Sequence, residues 1–120
     1  VGVQPAASPP MYAYMASGGM KPMPIAPTLA DGVAGNIERG SITWRMCRQL
    51  VDEVVVVDEE QIADAMRWSL DVHQLAIEGS AALSIAAMRA QLGGLAGRRV
   101  AAVLTGRNVD AGTLQMVLGR

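Results

Sequence analysis

The chain contains no phenylalanine, one cysteine, one histidine and, in Lys21, one lysine among its 120 residues, and each scarcity excludes something. A lone Cys47 cannot form an internal disulfide, and with His73 as the single histidine no Cys/His spacing matches a structural metal site. Charge of either sign is also short of a surplus. Ten basic and eleven acidic residues leave a net charge of −1 and are scattered along the chain, so there is no field of the kind a phosphate backbone selects, and nucleic acid is not expected as a partner. Long apolar runs are missing too. Val54 to Val57, the longest of note, falls far short of the roughly 20 residues that cross a bilayer, so no membrane partner is expected. A cytoplasmic protein is the expectation, with Cys47 a buried thiol on a helix.

What is present describes a folded domain. A hydrophobic content of 51% with 18% charged residues is close to the globular average, and 120 residues suffice for one domain and not two. Eight methionines predict an adaptable core of Met, Leu, Val and Ala. Val1-Gly2-Val3 reads as the end of an apolar strand, with no initiator Met, basic lead or signal-peptide pattern, so the chain is expected to open inside a domain.

Along the chain, Ser8-Pro9 reads as an N-cap with proline at the first helical position, predicting a helix from about Pro9 to Ser17. Three prolines between Met20 and Pro27 forbid a regular helix there, and Lys21 falls in this surface loop. Ser41 opens a second helix, to about Leu50. Val54-Val55-Val56-Val57 has the continuously apolar, β-branched character of a strand buried on both faces. Asp58 and Gln61 have the spacing of a capping box, with Glu59 and Glu60 in the positive first turn. The helix they start should run to about Val72 and align Ala63, Met66, Leu70 and His73 in one stripe. A small-residue helix from Ser80 to about Leu92 ends at Gly93-Gly94, Arg99 to Leu104 is again strand-like, and a helix from about Asp110 to Leu118 closes the chain.

Strands alternating with helices predict an α/β fold: a three-layer sandwich with a mostly parallel sheet, in which ligands sit beyond the carboxyl ends of the strands. Thr105-Gly106-Arg107-Asn108 stands at such an end and joins a hydroxyl, a glycine, a cation and an amide in one turn. On those four residues alone an ordinary turn is the favoured reading, because Gly and Asn serve backbone geometry there.

Four segments taken in order change that reading. Thr28-Leu29-Ala30-Asp31-Gly32-Val33, Leu50-Val51-Asp52-Glu53-Val54, Glu78-Gly79-Ser80-Ala81 and Leu104-Thr105-Gly106-Arg107-Asn108-Val109-Asp110 resemble the fold-type II pyridoxal-phosphate enzymes in order and separation. The likeness is to the C-terminal part of the threonine/serine dehydratase and serine racemase family and covers nearly all of the chain. It implies pyridoxal 5'-phosphate as cofactor and an amino acid as the small-molecule substrate. It implies that Thr105 stands where the family places a Ser, Thr or Cys beside the pyridine nitrogen, where a neutral hydroxyl donates to an unprotonated ring. It implies that Gly32 packs its backbone on one face of the ring, with Glu78 near the ring and Gly106 in the same turn as Thr105. Beside these stand plainer readings: Asp31 bonding turn amides, Gly32 as a turn residue, and Glu78 as a helix-start carboxylate.

The resemblance also implies what these residues do not supply. The family's Schiff-base lysine, its substrate-carboxylate loop and its phosphate-cradling glycine loop belong to an N-terminal half. Lys21, in a Pro/Gly loop, is expected to be a surface residue, so no catalytic residue is assigned. Residues 1–120 are expected to be the C-terminal portion of the catalytic domain, inactive without the lysine-bearing half, with no regulatory domain and with homo-oligomeric assembly. Separation from that half should leave unpaired strand edges at Val1 to Val3 and Val54 to Val57. Gln4, Ser8 and Pro10 stand where some members carry cation-binding carboxylates, so no metal is expected. Arg107 replaces the second glycine of the Ser-Gly-Gly-Asn pattern, pointing toward the ring edge or out to solvent. His73 is given no role, and Trp44 and Trp68 are read as packing residues.

The expected activity is deamination of L-threonine or L-serine to a 2-oxo acid and ammonia. Serine racemase, or a dehydratase for another hydroxy amino acid, is the alternative within the family. A non-catalytic α/β binding or assembly module is the alternative outside it.

Overall fold

Two short apolar stretches far apart in sequence meet at the centre of the molecule. In the computed structural model, which describes residues 1–90 and 92–119, β1 (Gly2–Pro5) lies parallel to β2 (Val54–Val57), with Gly2 opposite Val54 and Pro5 opposite Val57. A parallel pair needs a long crossover. Here it holds α1 (Pro10–Ser17), a 3-10 turn at Asp31–Val33 and α2 (Ile42–Leu50). After β2 come α3 (Glu59–His73), α4 (Gly79–Ala90), α5 (Leu92–Leu95) and α6 (Ala111–Leu118). α1 packs on β2, α4 on both strands and on α3, and α6 on α3. The core is mostly the α3/α4 seam, where Ile62, Ala65 and Met66 meet Ala82, Ile85 and Ala86, with Val57 and Val117 closing its ends.

Several starts are the ones the residues dictate. Asp58 Oδ1 accepts from Gln61 N (2.8 Å) while Gln61 Oε1 accepts from Asp58 N (2.9 Å), completing the capping box of α3. Ser41 caps α2 through Thr43 N, and Asp110 caps α6 through Thr113 N. α4 buries Gly79, Ala81, Ala82, Leu83, Ile85, Ala86 and Ala87, as its small, apolar composition leads one to expect.

The first helix starts differently. Ser8 does not cap it; the hydroxyl is fully buried and accepts from Gly35 N (3.0 Å), while Gln4 Oε1 takes the Tyr12 N–H (2.9 Å). Pro10 disfavours helical backbone at Pro9 before it, so the helix begins one residue later, and the Gln4 side chain answers the free N–H of its third residue, Tyr12. Gln4 and Ser8 are thus both engaged within the fold.

Five further expectations are corrected. β2 is not buried on both faces, for Val57 is buried but Val56 is 36% exposed. In a two-stranded sheet the alternating side chains meet a covered side and an open one. The Arg99 to Leu104 stretch forms no ladder among the described residues; Val103 O accepts from Ser84 Oγ (3.2 Å) instead, because no strand edge lies within bonding reach. The α3 stripe holds Ile62, Ala63, Met66 and Ser69, with Leu70 half-buried, while His73 is exposed and edge-on to Trp68 at 4.7 Å. Cys47 is only half-buried, since α2 leaves Ile42, Met46 and Leu50 exposed and buries no residue fully. α5 runs through Gly93 and Gly94, where the helical run was expected to stop, and Gln91 lies outside the described residues. Trp44 does pack, edge-on to Tyr14 at 6.0 Å with the Arg48 guanidinium over its ring.

Candidate functional site

The start of α4 is where the expected site residues meet. Glu59, in the first turn of α3, accepts from Thr28 Oγ1 (2.6 Å) and Leu29 N (2.7 Å), and Thr28 Oγ1 accepts from Ala30 N (3.1 Å). Those bonds hold the Thr28–Val33 loop against α4. Gly79 meets the loop so closely that a Cβ there would run into the Leu29 carbonyl. One residue on, a Cβ added to Gly32 would stand 2.9 Å from Ser80 Oγ. The space beside Gly32 therefore belongs first to Ser80.

The Thr105–Asn108 turn docks on the same place from the other side. Glu78 N donates to Gly106 O (3.4 Å), and the Glu78 carboxylate covers Gly106 where a side chain would have to go. Arg107 Nε donates to Ala76 O (3.3 Å), which directs its exposed guanidinium along the chain before α4. After the turn, Asp110 accepts from Thr113 N and Thr113 Oγ1 (2.6 Å). The Thr113 hydroxyl, and next its backbone N–H, hold the Asp110 carboxyl below its ordinary value by favouring the charged form.

Two cavities open on either side of this junction. One, of about 370 Å³, is largely apolar and is lined by Val1, Val3, Val33, Ser80, Ser84 and Thr105 together with the Val100 to Val103 stretch. The other, of about 390 Å³, is lined by Asp31, Glu59, Glu78, Asn108, Asp110 and Thr113. Gly32, Glu78, Thr105 and Gly106 thus share one neighbourhood, but Thr105 and Glu78 face different cavities. Lys21 is exposed in its loop.

Sequence reasoning gave Ser80 no role. Its hydroxyl is the one buried side-chain oxygen or nitrogen without a hydrogen-bond partner among the described residues. The signal available was its position directly after Glu78-Gly79, inside a segment already singled out. Two hydroxyls, Ser80 and Thr105, beside a glycine that presents bare backbone fit one edge and one face of a flat, polar-rimmed ring such as pyridoxal.

Comparison with known proteins agrees. Residues 1–106 match the family model described as pyridoxal-phosphate dependent enzyme. The chain belongs to that family. It is 34% identical over its whole length to the L-threonine ammonia-lyase of Thermotoga maritima, of which it spans 29%, and 32% identical over 82% of its length to the serine racemase of Oryza sativa, of which it spans 30%. Among solved structures, the processed threonine deaminase isoform 2 of Solanum lycopersicum superposes with a TM-score of 0.89 at 28% identity, covering 98% of this chain and 35% of that one. Maize serine racemase superposes with a TM-score of 0.81 at 30% identity, covering 97% and 36%. The fold is a partial α/β unit of the fold-type II pyridoxal-phosphate enzymes, and the cofactor of the family is pyridoxal phosphate. Among the described residues no helix is long and apolar enough to cross a membrane, and no group of three or more His, Cys, Asp or Glu gathers as a metal site.

Proposed function

We propose that this chain is the C-terminal portion of the catalytic domain of a pyridoxal-phosphate-dependent dehydratase that converts L-threonine or L-serine to a 2-oxo acid and ammonia. The observation that carries the proposal is the docked Thr105 turn. Its bonds to Ala76 and Glu78 fix a neutral hydroxyl at the rim of a largely apolar cavity. When bound, pyridoxal phosphate supplies the electron sink for elimination at the substrate's Cβ. Thr105 would donate to the ring nitrogen and leave it unprotonated, because a hydroxyl, unlike a carboxylate, does not favour a positive ring. Gly32 would present its backbone to one face of the ring, and Gly106 lets the Thr105 turn seat under Glu78, which would stand on the far side of that turn.

The reactive lysine and the phosphate-binding loop belong to the lysine-bearing half that completes the relatives' length, and this chain alone is inactive. Exposed Ile42, Met46 and Leu50, one turn apart along α2, support a homo-oligomer. The cytoplasm is the proposed location.

The test is made on the longer polypeptide that joins this chain to the lysine-bearing region. Incubation with pyridoxal phosphate and L-threonine or L-serine should release 2-oxo acid, and Thr105→Ala should lower kcat/KM by roughly tenfold or more. Formation of D-serine without 2-oxo acid would make the racemase reading the better one, a reading favoured by the 30% identity to maize serine racemase. Absence of both products and of bound cofactor would leave only a non-catalytic module.

A further inference from the structure

Besides Ser41, which caps α2, four serines of this fold are buried or half-buried, and three of those four are satisfied. Ser8 accepts from Gly35 N (3.0 Å), Ser69 donates to Leu75 O (2.9 Å), and Ser84 donates to Ala81 O (3.1 Å) and Val103 O (3.2 Å). Ser80 is the exception, with its Oγ shut from solvent and without a partner. Ser80 and Ser84 stand one turn apart on the same face of α4 and line the same cavity, so the difference does not come from exposure. A helical serine commonly turns back to a carbonyl of the preceding turn, as Ser84 does to Ala81 O. Ser80 stands in the first turn of α4, with no preceding turn of its own helix to supply a carbonyl. Leaving its hydroxyl buried and unpaired carries an uncompensated desolvation cost. Such a group in a close-packed place calls for a function.

We propose that Ser80 is a cofactor-binding residue. On loading it turns about its Cα–Cβ bond, away from Gly32 and into the cavity that it shares with Thr105, and donates a hydrogen bond to a polar atom on the rim of pyridoxal phosphate. Thr105 and Ser80 then hold the ring from two elements, the turn before α6 and the first turn of α4. The inference rests on the proposed cofactor site and adds to it a residue and a motion. It also accounts for the missing side chain at Gly32 in the cofactor-free fold: a Cβ there would stand 2.9 Å from the hydroxyl as it now lies.

The experiment compares the lysine-bearing polypeptide with its Ser80→Ala variant, titrating each with pyridoxal 5'-phosphate by visible absorbance and melting each without cofactor. Removal of an unpaired hydroxyl should leave the cofactor-free Tm unchanged or raise it by a few degrees. The Kd for the cofactor should rise roughly fivefold, the worth of one hydrogen bond. A Kd within twofold of the parent overturns the proposal. A weaker Kd with a lower cofactor-free Tm overturns it as well, since Ser80 would then act through packing. If the parent polypeptide takes up no cofactor, the proposed function fails and this inference falls with it, a result distinct from a parent that binds and a variant that binds equally.

Discussion

α4 has two flanks with opposite fates. Toward α3 it is closed: Ala81, Ala82, Ile85 and Ala86 are at most 4% exposed and meet Ile62, Ala65 and Met66, which are no more exposed than that. Toward the Val100 to Val103 stretch it is open: that flank borders the 370 Å³ cavity, and across it Val1 is 73% and Val103 72% exposed. The α4 residues on both flanks are small or aliphatic, Ala81, Ala82, Ile85 and Ala86 on one and Ser80, Leu83, Ser84 and Ala87 on the other. What differs is whether the partner surface lies within the same 120 residues. On the α3 side both halves of the seam are local in sequence, joined by Gln74 to Glu78. On the cavity side the apolar residues line open space, and that is where Thr105 and Ser80 stand.

The sharpest way to break this contrast is to cut equally into both flanks. Ile62→Ala, at a fully buried position, should cost about 3 kcal/mol in urea unfolding, from lost burial plus the cavity left behind. Val103→Ala should stay within about 0.5 kcal/mol, since its side chain is mostly in water already. Equal losses at the two sites would mean that the open flank is packed in solution by something this fold does not contain, such as a second copy, and the mass of the species in solution would show it.

A smaller effect separates the two explanations of Gly32. Its Cβ would lie 2.9 Å from Ser80 Oγ but 3.7 Å from Ser80 Cβ, an ordinary contact. Gly32→Ala alone should therefore destabilise by about 1–2 kcal/mol, as overpacking does. In a Ser80→Ala background most of that cost should vanish, and a double-mutant cycle measures the coupling. Additive costs would mean that the backbone, and not Ser80, demands the glycine. Smaller again is the capping box: Asp58→Ala should cost about 1 kcal/mol, read by the same unfolding curves.

The closed flank was largely legible in the sequence because its causes are local. Asp58-Glu59-Glu60-Gln61 states a helix start in four residues, and the small-residue run after Gly79 states a buried helix. The open flank was not. Arg99 to Leu104 has the composition of a strand, but a strand exists only with a paired neighbour, and the sequence of one partner cannot say whether the other lies within reach. Ser8 failed for a related reason, as its oxygen had a choice between the α1 amides and the distant Gly35 N. The site divides the same way. Thr105, Gly32, Glu78 and Gly106 were found by resemblance in ordered segments, and the structure brings them to the start of α4. That Thr105 and Glu78 face separate cavities, and that Ser80 carries an unsatisfied hydroxyl, are facts of packing that no spacing encodes.

The smallest expected effect is a titration at the far end of the site. Asp110 holds the first turn of α6 through Thr113, and these bonds favour its charged form, so its folded value lies below the ordinary 3.8 of an unfolded chain. A depressed carboxylate adds stability that is fully present above the unfolded value and is lost as the pH falls through the folded one. The loss should therefore begin only below about pH 4 and be absent at neutrality. Asp110→Asn keeps an oxygen acceptor for the Thr113 N–H but cannot titrate. Unfolding midpoints measured from about pH 6 to pH 3 should fall more steeply for the parent chain than for the variant. Parallel curves would mean that α6 is held by the Arg67 bond to Val117 O and by the buried Val117 side chain, with Asp110 contributing nothing through its charge. That outcome would move the anchoring of the Thr105 turn from its own cap to the closed flank, on which α6 packs through α3.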